Sequence, residues 1–238
     1  MRVETITDDI TLVLGDMRKG KGLVENITAE RGGVDFVLTD PPYAMQYVSN
    51  HRKFKFDQII GDESVDPQWF WMCDVVRPDG AFYCFHKWTK QDVFKKYIQQ
   101  HRNITIRNQL IWIKNNDTGG DLRRAFGEKH ENIWFATGEE FYFPNKRPTT
   151  DQYAARVSGS KLLHPNQKPI QLIRNLMAYA LSVNDRDAVV LDPFLGSGTT
   201  GVVAAERGHG FIGFEMDEHN FEISLRRVSD MANQLKLF

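Results

Sequence analysis

Asp40-Pro41-Pro42-Tyr43 is the stretch of the sequence with the clearest capacity for chemistry. It follows the apolar run 34–38, which has the composition of a strand buried on both faces. Proline is excluded from strand interiors and restricts the residue before it. The motif therefore predicts a rigid turn that holds a carboxylate and an aromatic ring at the carboxyl edge of a sheet, where open α/β sheets bind ligands. Taken alone, it fits a simple strand terminator equally well.

A second stretch combines a carboxylate with a glycine-rich turn, between a strand-like run at 188–191 and a helix-like run that follows. Its residues are Asp192, Pro193, Phe194, Leu195, Gly196, Ser197, Gly198 and Thr199. Such a turn brings backbone N–H groups and a helix N-terminus close to a ligand. No lysine follows Gly198, which disfavours a nucleoside triphosphate.

A nucleoside without a phosphate suits this turn better. Glu215 ends the next predicted strand, and its carboxylate could accept hydrogen bonds from both ribose hydroxyls. Asp192 would suit a cationic amino-acid group. The combination favours S-adenosylmethionine over NAD, and a turn that serves only packing is the simpler alternative.

Length and composition predict one domain over residues 1–238. An apolar content of 41% and an aromatic content of 12% suffice for a packed core. The N-terminus lacks the apolar core of a signal peptide, and no run approaches the roughly 20 apolar residues of a membrane span. Cys73 and Cys84 are isolated, so we expect neither a disulfide framework nor a metal site. These features predict a soluble, cytoplasmic protein without a membrane partner.

The net charge of −1 hides a strong asymmetry along the chain. Residues 1–85 carry 9 basic and 14 acidic residues, whereas residues 86–174 carry 16 basic and 8 acidic ones. The remainder carries 5 basic and 9 acidic residues. A basic middle between acidic flanks is typical of a nucleic-acid footprint on one face, although an unevenly charged solvated surface would look the same.

Strand-like and helix-like segments alternate along the chain. Strands are predicted at 10–14, 34–38, 81–85, 110–113, 133–136, 188–191 and 210–215, and helices at 66–76, 89–100, 170–181, 199–205 and 219–235. This alternation predicts an α/β fold, with a mostly parallel sheet and helices on both faces. Residues 44–63 interleave basic and aromatic residues, which is typical of a mobile loop that covers a substrate or contacts a phosphate backbone. A disordered surface loop is the alternative.

Asp40-Pro41-Pro42-Tyr43 and the turn at 192–199 together resemble the DPPY and FxGSGT motifs of the DNA amino-methyltransferases. The DPPY motif comes first, which is the circularly permuted order of the β class of that family. His164-Pro165-Asn166-Gln167-Lys168-Pro169 resembles the HPxQKP segment of the same class, and the resemblance covers about residues 10–225. It implies a Rossmann-like S-adenosylmethionine methyltransferase fold with a seven-stranded sheet. The strand ending at Asp40 would then neighbour the strand ending at Asp192.

The resemblance also implies a role for each motif residue. Asp40 and the carbonyl of Pro41, in a turn completed by Pro42, would accept hydrogen bonds from an exocyclic amine. The freed nitrogen lone pair would attack the sulfonium methyl in line. Most of the rate acceleration would come from positioning of the reactants and from oriented dipoles of the protein. Tyr43 would stack on the target base after it is flipped from the duplex. The residues expected to bind the cofactor are Asp16, Lys168, Asp192, Phe194, Gly196, Ser197, Gly198, Thr199 and Glu215.

An acid at the start of the catalytic motif favours a site-specific enzyme that methylates N6 of adenine in double-stranded DNA. The N4-cytosine enzymes more often have serine there, but cytosine stays an alternative. The permuted motif order disfavours an RNA base methyltransferase, and the intact Asp40, Glu215 and glycine turn disfavour a non-catalytic nucleic-acid-binding module. The family further implies a restriction–modification setting.

The interval 138–163 is predicted to be a basic target-recognition insert, and it is short for this family. Three explanations stay open. The recognised site is short, the protein acts as a homodimer, or the basic loops 44–63 and 115–130 share recognition.

Overall fold

The computed structural model of the protein describes residues 1–43, 64–118, 123–157, 167–182, 184–185 and 187–235. The strands are β1 (Arg2–Thr7), β2 (Ile10–Leu14), β3 (Val34–Thr39), β4 (Val76–His86), β5 (Thr105–Thr118), β6 (Glu128–Thr137), β7 (Asp151–Tyr153), β8 (Val189–Asp192) and β9 (Gly210–Glu215). The α-helices are α1 (Lys21–Ile27), α2 (Gln91–Ile98), α3 (Ile170–Ala180), α4 (Thr199–Glu206) and α5 (Glu218–Leu235). The predicted loop 44–63 lies outside the described residues.

The nine strands form one sheet in the order β1-β2-β9-β8-β3-β4-β6-β5-β7. Strands β2, β9, β8, β3 and β4 run parallel, which confirms the predicted architecture. The expected count of seven strands is wrong, because β1 and β7 each add an edge strand. Strand β1 is half exposed and mixed polar, and β7 has only three residues, so neither has the apolar pattern that predicts a strand.

Alternating side chains divide the core between the two faces of the sheet. Phe36 and Leu38 of β3 face the cluster formed by α3, α4 and α5. Val37 between them faces the cluster formed by α1, α2 and the 3-10 helix Pro67–Cys73. The helices therefore cover both faces, as predicted. Among the described residues, no helix is long and apolar enough to cross a membrane.

The segment predicted as a helix over 66–76 is instead the 3-10 helix Pro67–Cys73. Asp66 caps it as expected, accepting a hydrogen bond from the backbone N–H of Gln68 at 2.8 Å. The helix ends early because the chain already enters β4 at Val76.

Strands β3 and β8 are direct neighbours, with Phe36 opposite Val190 and Val37 opposite Leu191. This confirms that the strand leading to Asp40 lies beside the strand ending at Asp192. The chain continues from β3 to β4 on one side and from β8 to β9 on the other. The two carboxyl ends therefore meet at a topological switch point, the usual ligand position in such sheets.

Candidate active site

The catalytic turn leaves β3 at Asp40, whose side chain is 17% exposed. The hydroxyl of Tyr43 donates a hydrogen bond to Asp40 Oδ1. The Tyr43 ring is half-buried and lies edge-on to Phe94, with ring centroids 6.4 Å apart. Pro41 is buried and Pro42 is half-buried. The Tyr43 hydroxyl thus orients the Asp40 carboxylate. The stacking of the Tyr43 ring on a base stays a prediction.

Four side chains of alternating charge contact one another in a row that begins at Asp40. Lys168 Nζ lies 2.6 Å from Asp40 Oδ2 and 2.9 Å from Glu131 Oε2. Lys114 Nζ lies 2.6 Å from Glu131 Oε1. The Lys168 side chain is only 10% exposed and that of Lys114 only 4%. The structure thus places Lys168 in contact with Asp40, whereas the sequence predicted that it would bind the cofactor.

Burial and partner charges compete in this row of side chains. Burial raises the pKa of Asp40, and Lys168 opposes part of that rise. Burial would also raise the pKa of Glu131, but Lys168 and Lys114 outweigh it and lower that pKa to about 2. Burial would lower the pKa of Lys168, but Asp40 and Glu131 outweigh it and raise that pKa. Glu131 and Lys168 are therefore both held in their charged forms.

Sequence reasoning did not find Lys114 or Glu131, although the sequence contained a signal for both. Side chains two apart on a strand share a face. Lys114 lies two residues beyond the buried Trp112 on β5, and Glu131 lies two residues before the buried Ile133 on β6. A charged residue in phase with buried apolar ones indicates a buried ionic partner.

The glycine-rich turn after β8 adopts the backbone that its sequence predicts. Gly196 and Gly198 have φ values of 52° and 80°, in the left-handed region that favours glycine. Gly198 caps α4, and its N–H donates to the carbonyl of Leu195 at 2.9 Å. The carbonyl of Ser197 accepts a hydrogen bond from Arg227 of α5. The turn is therefore held by both its own helix and the last one.

Asp192 and Glu215 lie at the ends of the adjacent strands β8 and β9. Asp192 is 4% exposed and accepts from the N–H of Phe194 at 3.1 Å, and burial raises its pKa to about 7. Glu215 accepts from the N–H groups of Gly196, Met216 and Asp217 at 2.8 to 2.9 Å. A carboxylate offers about four acceptor positions, so Glu215 retains about one for a ribose hydroxyl where two were expected.

Asp16 and Phe194 lie beside these carboxylates. Gly15, next to Asp16, donates its N–H to the carbonyl of Glu215 at 2.7 Å. Asp16 caps a 3-10 helix and pairs with Arg18 at 2.7 Å. Phe194 lies edge-on to Trp69 with centroids 5.3 Å apart. The structure thus brings these residues to one edge of the sheet, while their contacts with a cofactor stay predictions.

Two orphaned hydroxyls indicate that this edge fits a polar ligand. Thr39 ends β3 and Thr199 begins α4, and the buried hydroxyl of each has no hydrogen-bond partner within the described parts of the chain. Buried polar atoms normally have partners. Together with Asp192 and Glu215, they suit the ammonium and hydroxyl groups of S-adenosylmethionine. The residues described contain no group of His, Cys, Asp and Glu side chains that could hold a metal ion.

The predicted recognition insert divides between the two edges of the sheet. Gly138 and Glu140 donate their N–H groups to the carbonyls of Gly80 and Pro78, at the edge opposite Asp40. Strand β7 then runs parallel to β5, back towards the catalytic edge. Residues 154–157 follow β7 on that side, and residues 158–163 lie outside the described residues.

Comparisons with known proteins agree with this geometry. Residues 34–226 match the family described as DNA methylase. The Type II methyltransferase M.HinfI of Haemophilus influenzae is 26% identical over 276 aligned positions, which cover 100% of this chain and 74% of that protein. The putative methylase YubD of Escherichia coli strain K12 is 29% identical over 204 positions, 85% of each chain.

Two solved structures share the fold. The M1.HpyAVI–SAM complex has a TM-score of 0.65 at 20% identity, with 91% of this chain and 98% of that chain covered. The PvuII DNA methyltransferase, described as cytosine-N4-specific, has a TM-score of 0.67 at 16% identity, with 95% and 92% covered. These likenesses confirm the predicted methyltransferase fold.

Proposed function

The chain belongs to the DNA methylase family, and from that premise we propose that it methylates the exocyclic N6 of adenine at specific sites in double-stranded DNA. The family resemblance that the motifs indicated is thereby confirmed. S-adenosylmethionine is the methyl donor, supplying an electrophilic methyl group on a sulfonium. The observation that carries the proposal is the meeting of Asp40 and Asp192 on neighbouring strands, which sets a hydrogen-bond acceptor beside the cofactor turn.

The residues of the site would act by positioning. An ionised Asp40 accepts a hydrogen bond from the target amine, and the Pro41 carbonyl accepts the second. These bonds draw the nitrogen lone pair out of the ring and aim it at the methyl carbon. S-adenosylmethionine would supply the methyl group and leave as a neutral thioether that keeps the electrons of the C–S bond, and the amine proton would pass to Asp40 and then to solvent. No covalent enzyme intermediate is needed.

Adenine is favoured over cytosine because an acid opens the catalytic motif. A neutral serine hydroxyl is more usual in the N4-cytosine enzymes. N4-cytosine methylation is the second candidate, and the likeness of the fold to that of the PvuII enzyme is the observation in its favour.

The test is nucleoside analysis of duplex DNA incubated with the protein and labelled S-adenosylmethionine. We expect N6-methyldeoxyadenosine, and Asp40→Ala should lower its formation by at least about 1,000-fold because the amine loses its charged acceptor. Asp79→Ala is the matched control, since Asp79 is an exposed carboxylate at the opposite edge. N4-methyldeoxycytidine as the sole product would establish the second candidate, and labelled RNA with unlabelled DNA would exclude both.

The wider proposal includes a cytoplasmic, restriction–modification setting and a homodimer on DNA. A dimer would enlarge a DNA contact that the short insert alone makes small. Sedimentation of the protein with a duplex containing its site should show two chains per duplex, and one chain per duplex would exclude the dimer.

A further inference from the structure

The ammonium of Lys168 lies between the catalytic carboxylate and a second carboxylate that has no part in the proposed chemistry. It contacts Asp40 Oδ2 at 2.6 Å and Glu131 Oε2 at 2.9 Å. It also lies over the Phe85 ring, 4.6 Å from the centroid, and 5.9 Å from that of Trp112. Aromatic rings and two carboxylates therefore surround a cation that water barely reaches.

We propose that Lys168 is a positioning residue for methyl transfer, which holds the Asp40 carboxylate ionised and in one orientation while Glu131 and Lys114 hold Lys168 in place. The proposal deepens the proposed function, because it rests on Asp40 as the acceptor for the amine. It applies equally to an adenine and to a cytosine substrate.

The ionised state of Asp40 is what the chemistry requires. A carboxylate accepts hydrogen bonds at both oxygens, whereas a protonated carboxyl gives up part of that capacity. Burial acts against the ionised form of Asp40, and a cation in contact acts for it. Tyr43 and Lys168 occupy one oxygen each, so the carboxylate is fixed from both sides while a lone pair stays available for the amine.

Glu131 and Lys114 explain why the Lys168 ammonium stays in place. A lysine side chain has a flexible stem, and a single partner would fix it poorly. Here Glu131 supplies a second contact, and Lys114 holds Glu131 from the other side at 2.6 Å. Both carboxylates and both ammonium groups come from different segments of the chain, so the set also ties β5, β6 and the segment before α3 to the catalytic turn.

A role for Lys168 in cofactor binding gives a different expectation. An ammonium has three donors, and two are used by Asp40 and Glu131. If the third served the cofactor, loss of Lys168 would weaken cofactor binding most. If Lys168 positions Asp40, its loss lowers kcat and leaves the Kd for S-adenosylmethionine within about twofold.

The pH dependence of kcat provides the sharpest test, because it reports whether Asp40 is ionised. The titratable groups that act on Asp40 or on its ion-pair partners are Tyr43, Cys84, Lys114, Glu131, Lys168 and Asp192. The acid limb of the profile is the fall in kcat at low pH, where Asp40 becomes protonated. Lys168→Met removes the cation that opposes the rise in the pKa of Asp40, so this limb should move to higher pH by about one pH unit or more. At neutral pH kcat should fall about 100-fold.

Glu131→Gln should move the acid limb in the opposite direction. Glu131 is an anion that raises the pKa of Asp40, and a glutamine amide oxygen can still accept a hydrogen bond from Lys168, so removal of the charge lets the pKa of Asp40 fall. An ion pair with a purely structural role would lower activity in either variant without moving the limb. Opposite shifts in the two variants are therefore the expected result, and an unmoved limb in Lys168→Met would overturn the proposal.

Arg174→Met is the matched control. Arg174 lies on α3, soon after Lys168, and forms a half-buried pair with Glu206 at 2.8 Å, away from Asp40. This variant should keep the wild-type limb and kcat. Lys168→Arg keeps the charge with a different shape, so it should keep the limb while kcat falls about tenfold.

Thermal unfolding of each variant shows whether it folds. If Lys168→Met does not fold, the acid limb of Glu131→Gln still decides the question, since a purely structural pair would leave that limb unmoved. A wild-type protein that methylates no DNA would refute the proposed function. A wild-type protein that is active, with an inactive Asp40→Ala variant and an unmoved limb in Lys168→Met, would refute the role of Lys168 alone.

Discussion

At the scale of single residues, two carboxylates at neighbouring strand ends have opposite surroundings. Asp40 contacts the ammonium of Lys168 at 2.6 Å. Asp192 accepts from a backbone N–H and, in the part of the chain that the structure describes, forms no salt bridge. Burial raises the pKa of Asp192 to about 7. This difference suits Asp40 to a neutral amine and Asp192 to a cationic group of the cofactor.

We predict that the affinity for S-adenosylmethionine rises with pH through about 7. The ammonium of the cofactor would stabilise ionised Asp192, so binding would release the proton that burial retains on this side chain at lower pH. Between about pH 7 and pH 6 the affinity should fall by up to about tenfold. Calorimetry in two buffers of different ionisation enthalpy measures both the affinity and the released proton. Asp192→Asn should bind more weakly and release none, and proton release that persists in this variant would contradict the assignment.

At the scale of elements, the turn from β8 to α4 depends on close approach as well as on backbone freedom. A Cβ on Gly198 would lie 2.8 Å from the Cβ of Ser224 and 3.0 Å from its Cα. The left-handed φ of 80° adds strain for any residue with a Cβ. Glycine at 198 therefore lets α5 pack directly against the cofactor turn.

We predict that Gly198→Ala lowers the free energy of unfolding by about 1–3 kcal/mol and weakens cofactor binding, because the turn and α5 must separate. Gly22→Ala is the matched control. Gly22 lies inside α1, and a Cβ there would meet nothing within 4 Å. That variant should be unchanged or more stable by about 0.4–1 kcal/mol. Denaturant unfolding and calorimetry measure the two effects, and equal stability of the two variants would contradict the packing argument.

At the scale of the whole molecule, the charge asymmetry of the sequence becomes an asymmetry in space. Strands β6, β5 and β7 come from the basic middle of the chain and lie together at one end of the sheet. Strands β1, β2, β9 and β8 come from the acidic flanks and lie at the other. Asp40 follows β3, which lies between these two groups of strands.

We predict that DNA affinity falls steeply with salt, with a slope of log K against log salt of about −4.5 if five phosphates are contacted. Lys129→Ala should reduce the slope by about 0.9, since Lys129 is exposed where β6 begins at the catalytic edge. Lys146→Ala is the control, because Lys146 is exposed in the part of the insert that follows β6 at the opposite edge. Fluorescence anisotropy over a salt series measures each slope. A larger effect of Lys146→Ala than of Lys129→Ala would indicate that DNA binds at the opposite edge and would contradict the prediction.

The sequence by itself determined the elements and motifs that depend on near neighbours. Apolar runs predict the seven inner strands, prolines end β3 at Asp40, and glycines shape the turn after Asp192, because each effect acts over a few residues. The resemblance to the DNA amino-methyltransferases further implied that the strands before the two motifs are neighbours, as β3 and β8 are.

Only the tertiary structure decided what surrounds Asp40. Pairing of β5 with β6 brings Lys114 to Glu131, and the segment before α3 places Lys168 between Glu131 and Asp40. It also decided that the interval 138–163, predicted to be a recognition insert, begins at the opposite edge of the sheet. Such contacts depend on strand order and register, which local periodicity does not specify. Burial then requires each of these charges to have a partner, and the resulting row of ion pairs ends at Asp40.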